Sequence, residues 1–424
     1  MNLIKELTWR GLIQDVMPGT EEQLQKEVTT GYIGFDPTSD SLHIGSLVPI
    51  ILLMHLQKAG HKPIALVGGA TGMVGDPSGK SDERNLLNEN QLQKNLDGIK
   101  KQLSKFLDFN ASGPTSAVIV NNYDWFKGMS FIEFLRDTGK HITVNYMMAK
   151  DSVKKRIEGE TGISYTEFAY QLMQGYDFYW LYKNHNCKLQ MGGSDQWGNI
   201  TTGTELIRRK VGGEAFGMTC PLIKKTDGGK FGKTEKGNVW LDAEKTSPYE
   251  FYQFWLNASD EDSKTWIRIF TFLNKEEIDE IIKEHDENPG LRTLQKTLAK
   301  ELTIFVHNLT SYELALSTTQ KLFANHSAPA ESLSEEDLEG MEGVVKSDVQ
   351  PDFIIKNDLL TILVECKIFP SKGEARKMIQ QGGLSINRNK INDPAFKIET
   401  ELLLHKKYLL IQKGKKHHYL LRAV

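Results

Sequence analysis

A chain of 424 residues, 39% hydrophobic and 25% charged, has the composition of a globular protein, and at about 150 residues per domain it predicts roughly three domains. Its three cysteines, Cys187, Cys220 and Cys366, are too few and too scattered for a disulfide scaffold or a zinc site, which excludes small secreted classes and fits a reducing cytoplasm. The net charge of −3 conceals an asymmetry: residues 356–424 hold 14 Lys and Arg against 6 Asp and Glu, a net of +8, which leaves −11 on residues 1–355, so a basic module suited to a polyanion adjoins an acidic body.

The N-terminal MNLIKELTWRGLIQD places Glu6 and Asp15 where a signal peptide needs an apolar centre. From 30 to 220, β-rich runs alternate with helical patterns. TGYIGF (30–35), KPIALVGG (62–69) and SAVIVNN (116–122) read as strands, and LVPIILLMHLQKAG (47–60) as a helix with Pro49 near its start and Gly60 at its end. Its apolar part is about half the length of a membrane span. CKLQMGG (187–193) is a further strand, followed by a helix from about Gln196. This alternation predicts an α/β fold, a Rossmann-like parallel-sheet catalytic domain over 1–224, with ligands at the carboxyl ends of the strands. A glycine- and lysine-rich segment follows at 225–247. Over 248–328 the strand signal vanishes, which predicts an α-helical domain. The stretch 329–355 is acidic, with 8 carboxylates and one lysine between Pro329 and Asp352, and reads as a solvated linker with at most one short helix. Residues 356–424 pair helical SKGEARKMIQQGG with the short strands LSINRNKI and KYLLIQ, a small basic α+β module suited by its charge to an anion.

Five stretches carry chemistry. In GFDPTSDSLHIGS (34–46) a strand ends at Phe35, Asp36-Pro37 turns the chain, and His43-Ile44-Gly45-Ser46 opens a helix. Free N–H groups and the positive dipole end favour phosphate there, although a local cap would use the same histidine. The glycine-rich GGATGMVGDPSGK (68–80) has neither P-loop nor GxGxxG spacing. It still allows close ligand approach, and Asp76 can hold an ammonium; a flexible connection is the plain alternative. In YTEFAYQLMQGYDFYWLY (165–182), Tyr170, Gln174 and Asp177 stand at i, i+4 and i+7, within about 60° on a helical wheel. A solvated face would carry Lys and Glu, so this phenol, amide and carboxylate read as a pocket wall. LQMGGSDQWGN (189–199) runs a strand into Gly192-Gly193 and then Asp195, an acid placed for a ribose hydroxyl pair. KFGKT (230–234) sets two lysines three apart, able to grip a polyphosphate as charge builds in a transition state; taken alone, it reads equally as a solvated loop.

Together and in this order, these stretches resemble the class I aminoacyl-tRNA synthetases, specifically the bacterial tyrosyl-tRNA synthetase family. HIGS stands where that family has its HxGH signature, and KFGKT where it has its lysine loop. YIGFDPT, GGATGMVGDPSGK, VNYMMAKDSV (144–153), SYTEFAYQLMQGYD and LQMGGSDQWGNI match the tyrosine branch, and SKGEARKMIQQGGLSIN resembles a small RNA-binding domain of a ribosomal protein. The resemblance covers essentially the whole chain. It implies that tyrosine and ATP give tyrosyl-adenylate and pyrophosphate, after which the tyrosyl group moves to the 3′-terminal adenosine of tRNA(Tyr).

By that resemblance His43, Lys230, Lys233 and Thr234 hold the triphosphate in the transition state. Tyr32 and Asp177 meet the substrate phenol, Tyr170, Gln174 and Asp76 its ammonium, and Gln196 the carboxylate side. ATP contacts fall to Gly34, Asp36, Thr38, Gly45, Lys80, Gly193, Asp195, Leu222 and Ile223 beside His43 and the two loop lysines, with Arg84 a further phosphate contact. Magnesium accompanies ATP and has no protein cage of its own. For RNA the resemblance implies Lys372, Arg376, Lys377 and Arg388 in the basic module, and Lys150, Lys154, Lys155, Arg156, Arg208 and Arg209 near the acceptor stem, a set that solvent-facing charges explain equally well. It also implies a homodimer formed through a connective segment at about 125–165. One departure stands out: Ser46 occupies the second histidine position of the signature, and a hydroxyl is shorter and carries no proton charge. Two other readings share many of these features, a sister enzyme activating tryptophan and a non-catalytic RNA-binding protein on the same scaffold. An indole offers no hydroxyl to Tyr32 and Asp177, and the lysine loop argues for catalysis.

Overall fold

The computed structural model describes all residues except 79–88, 112, 160–161, 230, 235–236, 325–328, 342–343 and 415–416. β-branched, apolar runs build a six-stranded sheet from β1 (Asp15–Val16), β2 (Thr30–Phe35), β3 (Lys62–Val67), β4 (Val118–Asn121), β5 (Cys187–Gly193) and β6 (Phe216–Cys220), in the order β1-β6-β5-β2-β3-β4. All pairings are parallel except that of β1, which meets β6 antiparallel. Parallel strands are covered on both faces and so read as continuous apolar runs. Accordingly β6 is buried throughout and β3 from Pro63 onward. From β2 the chain winds outward through β3 and β4, then crosses back to β5 and β6. The switch point lies between β2 and β5, where an open parallel sheet leaves a crevice at its carboxyl edge.

The 3₁₀ turn Ile44–Ser46 leads into the helix Leu47–Lys58, whose core-facing side chains include Leu47, Ile50, Ile51 and Leu53, all fully buried. The 21-residue helix Tyr165–His185 starts with a capping box between Ser164 and Glu167 and stops at Asn186 in the left-handed region (φ 50°), where a short amide side chain is tolerated. A short hairpin, β7 (Lys233–Thr234) with β8 (Gly237–Asn238), follows the sheet. Among the described residues, no helix is long and apolar enough to cross a membrane.

The chain packs as two units, Met1–Lys245 with Ala258–Leu298, and Thr246–Asn257 with Ala299–Val424. The helical stretch 248–328, expected as one domain, is thus divided. Arg10 supplies a reason. Its buried guanidinium donates to the carbonyls of Arg268 and Thr271, both at 2.8 Å, and of Leu273 at 2.7 Å, while Phe231 stacks on Phe270 with centroids 5.3 Å apart. The helices Asp260–Phe270 and Lys275–Glu287 therefore belong with the large sheet.

In the second unit, Phe251 meets His307 edge-on at 4.9 Å, and Gln253 donates to Thr319 at 2.7 Å. A five-stranded sheet comprises β9 (Val345–Val349), β10 (Leu384–Ile386), β11 (Asn389–Ile391), β12 (Tyr408–Lys413) and β13 (His417–Ala423), in the order β11-β10-β12-β13-β9. The acidic 329–355 stretch is folded into this unit rather than solvated. β9 pairs in parallel with β13, and Ala330, Leu333, Leu338, Met341 and Val344 are buried. Its carboxylates find cations: Glu339 pairs with Arg422 at 3.1 Å and Asp337 with Lys321 at 2.8 Å. Charge density masked an apolar residue every few positions.

Candidate active site

The crevice between the ends of β2 and β5 gathers most of the described residues singled out in the sequence. On the floor, Tyr32 is 1% exposed, its ring tilted against Phe178 at 5.4 Å. Its hydroxyl has no hydrogen-bond partner, a costly state for a buried polar atom. Burial, and next the nearby Asp177 carboxylate, hold this phenol well above its ordinary pKa. Asp177, 2% exposed, accepts from Asn122 Nδ2 at 3.1 Å and from Trp125 Nε1 at 2.9 Å. Burial nevertheless pushes its carboxyl up to about 8, with the Asn122 and Trp125 bonds opposing. The helical face predicted from i, i+4, i+7 spacing does face inward: Tyr170 and Asp177 are buried and Gln174 half-buried.

Two hydrogen-bonded polar networks accompany them, one on Asp36 and one on Gln196 and Asp76. Tyr170 donates to Asp36 Oδ2 at 3.2 Å, and Thr71 donates to Asp36 Oδ1 at 3.1 Å. Burial first, then Asp36, raise the Tyr170 phenol pKa. Gln196 Nε2 donates to Asp76 Oδ2 at 2.7 Å, Gln174 Nε2 to Gln196 Oε1 at 3.2 Å, and Asn199 Nδ2 to Gln174 Oε1 at 3.0 Å. The Ser78 backbone N–H fixes the other Asp76 oxygen at 2.8 Å. Two carboxylates, a phenol and three amides thus line the site, a set of acceptors suited to an ammonium.

Gly34 is the exposed residue of the otherwise buried β2, leaving backbone open to a ligand. A Cβ on Gly193 would stand 2.6 Å from Asp195 Oδ1 and 3.2 Å from Leu222 Cδ2, so glycine is needed for the close approach of all three. Burial raises the Asp195 pKa. Leu222 is half exposed (51%), an apolar platform for a flat ring, with Ile223 next to it. Thr38 is exposed on the turn after Asp36, its N–H donating to the Asp36 carbonyl at 2.9 Å. At the helix start, Gly45 N–H donates to His43 Nδ1 at 3.0 Å. Ser46 makes no side-chain cap bond.

Other assignments fall elsewhere. Lys80, Arg84 and Lys230 lie outside the described residues. For Lys233 and Thr234 the backbone pairing in β7 is described and the side chains are not. Arg156, grouped with solvent-facing cations in the sequence, is buried in a bidentate pair with Glu167 at 2.7 and 2.9 Å. Lys150 donates to Thr201 at 2.8 Å over the Tyr146 ring, and Arg208 and Arg209 bond Glu205. In the second unit Arg376 and Lys377 are exposed on the helix Lys372–Gln380, while Lys372 donates to Thr361 at 2.5 Å. Arg388 donates to the Lys321 carbonyl at 2.6 Å, a backbone clasp instead of an open cation. Sequence reasoning overlooked Asn122, Trp125, Thr71 and Asn199. The two asparagines closing SAVIVNN after a strand were the available signal.

The family model for class I tRNA synthetases (W and Y) matches residues 24–324, and that for the tyrosine–tRNA ligase SYY-like C-terminal domain matches 339–421. Tyrosine–tRNA ligases of Parabacteroides distasonis and Flavobacterium johnsoniae are each 59% identical, over 100% of both chains. A C-terminally truncated mitochondrial tyrosyl-tRNA synthetase from Aspergillus nidulans superposes with a TM-score of 0.68 at 29% identity, covering 76% of this chain and 94% of its own. The tyrosyl-tRNA synthetase of Archaeoglobus fulgidus, at 16% identity and a TM-score of 0.54, shares the fold. With two family models in succession, full-length relatives and a crevice that carries the motifs in order, the chain belongs to the class I tRNA synthetases, on the tyrosine–tRNA ligase branch.

Proposed function

We propose that the crevice binds L-tyrosine and ATP, joins them as tyrosyl-adenylate with release of pyrophosphate, and passes the tyrosyl group to tRNA(Tyr). One observation carries the reading: the partnerless Tyr32 hydroxyl and the buried Asp177 carboxylate share the bottom of the pocket. A substrate phenol pairs with the Tyr32 hydroxyl and adds a bond to Asp177, whereas phenylalanine leaves the Tyr32 hydroxyl unpaired in a dry site. Tyr170, Gln174 and Asp76 receive the ammonium, and Gln196 flanks the carboxylate. That carboxylate oxygen attacks the ATP α-phosphorus, an O–P bond forms, and the bond to the pyrophosphate oxygen breaks. The nucleophile is already ionised, so catalysis is positioning and stabilisation of charge on phosphoryl oxygens. His43, Lys80, Lys230, Lys233 and Thr234 serve that charge, Asp195 the ribose, Leu222 and Ile223 the adenine, and Mg²⁺ arrives with the nucleotide.

Tyrosine-dependent pyrophosphate exchange tests the proposal. Exchange with tryptophan but not tyrosine would transfer the chain to the sister activity, and tRNA binding without exchange would favour a non-catalytic scaffold. For the second step, a chain ending at residue 328 retains exchange and loses most tRNA charging, because the basic module supplies salt-dependent phosphate contacts through residues such as Arg376 and Lys377. Equal loss of both steps would make that module structural. The apolar side chains Phe131, Ile132, Val144 and Met148 are 63%, 75%, 58% and 43% exposed, which supports a self-association face on the connective segment. Sedimentation at micromolar concentration reads dimer against monomer.

A further inference from the structure

His43 and the lysine loop must meet the same triphosphate, so their mutual placement matters as much as their identities. His43 Nδ1 accepts the Gly45 N–H at 3.0 Å, so the neutral ring carries its proton on Nε2. A Cβ on Gly45 would lie 2.9 Å from that Nδ1, which shows how closely the imidazole lies across the turn. From outside the turn Trp240 packs against it, at 6.2 Å between centroids and 68° between planes, an edge-on contact.

The contact is built into the backbone. His43 and Trp240 face each other across an isolated antiparallel bridge, with Ile44 N–H donating to the Val239 carbonyl at 3.0 Å and Leu241 N–H to the Leu42 carbonyl at 2.9 Å. Val239 N–H in turn donates to the carbonyl of Gly232, the middle residue of KFGKT, at 3.0 Å. Gly232 itself rests on Ile44, where a Cβ would stand 3.2 Å from Cγ1. The indole is held too. The Lys245 ammonium lies 5.1 Å over its ring and pairs with Asp40, which also pairs with Lys94 at 3.1 Å.

We propose that Trp240 is a positioning residue for the adenylate-forming step, clamping the strand around Val239, and through it the Gly232 backbone, against the His43 turn so that His43 keeps a fixed orientation toward the triphosphate. The proposal deepens the tyrosine-activating reading and rests on it. Trp240 acts through His43, since the edge-on ring contact opposes rotation of the imidazole and its backbone sets the spacing to Gly232. Misplacement by about 1 Å is enough to cost on the order of 100-fold in rate.

The test uses the full-length chain and measures kcat for tyrosine-dependent pyrophosphate exchange beside the equilibrium Kd for tyrosine. Trp240→Ala should lower kcat by about 10-fold or more with the tyrosine Kd unchanged, and Trp240→Phe, which keeps an aromatic edge, should recover most of the rate. Combined with His43→Ala, Trp240→Ala should add little further loss, because the two side chains act as a unit. An unchanged kcat, an additive double variant, or a tyrosine affinity that falls in step with kcat overturns the proposal. Should Trp240→Ala not fold, Trp240→Leu keeps the bulk and drops the ring edge, and a wild-type rate in that variant overturns it equally. Absence of exchange in the unmodified chain would instead strike the tyrosine-activating reading.

Discussion

Replacing Asp177 by asparagine separates the chemistry of the pocket floor from its electrostatic cost. The carboxyl is buried and raised to about 8 from an ordinary 3.8. Below pH 4 the folded and unfolded chains both carry the proton. Between about pH 4 and 8 the unfolded chain has lost it and the folded chain keeps it. Stability therefore falls with rising pH across that window, by about 1.4 kcal/mol per unit, and levels off above pH 8. From pH 5 to 8 the decline attributable to this one group is about 4 kcal/mol. Asparagine keeps the shape and does not ionise. Its amide meets the Asn122 and Trp125 donors with one mismatched group, a loss of about 1–3 kcal/mol that is independent of pH. Urea or thermal unfolding of both proteins at pH 5, 6.5 and 8 should show the variant gaining on the wild type by several kcal/mol from the lowest pH to the highest, while tyrosine-dependent exchange is lost throughout. A stability difference that stays constant across the three pH values refutes the argument.

Tyr32→Phe removes a hydroxyl that is buried without a partner, so the ligand-free protein should gain about 1–3 kcal/mol while preference for tyrosine over phenylalanine in exchange declines; lowered stability with preference intact would contradict this. Arg156→Ala strands Glu167 in a buried site, which should cost about 3–5 kcal/mol, read as a large drop in melting temperature. A change within experimental error would mean that water already reaches the pair. Gly193→Ala puts a methyl group 2.6 Å from Asp195 Oδ1, and should raise KM for ATP while leaving the tyrosine Kd as it was.

Much of the site was readable before any coordinates. The i, i+4, i+7 stripe of Tyr170, Gln174 and Asp177 is fixed by helical periodicity alone, and the strand ends at Phe35 and Gly193 announced themselves through the glycine and turn residues around them. Such features depend on backbone geometry over a few residues, so the chain displays them locally. Which partners each side chain finds is a different kind of information. Asn122 and Trp125 hold Asp177 from 55 and 52 residues away, and Arg156 meets Glu167 only because one helix folds back on another. The acidic 329–355 stretch looked solvated because its charge was counted without the strand that receives it. Arg388 looked like an open cation because the Lys321 carbonyl that engages it lies 67 residues upstream. Local periodicity decided the elements, and the resemblance carried by the motifs in their order implied the reaction class. Tertiary packing decided which polar groups are dry and paired, and so where proton affinity shifts, because desolvation depends on neighbours that the topology brings together and the local sequence does not contain.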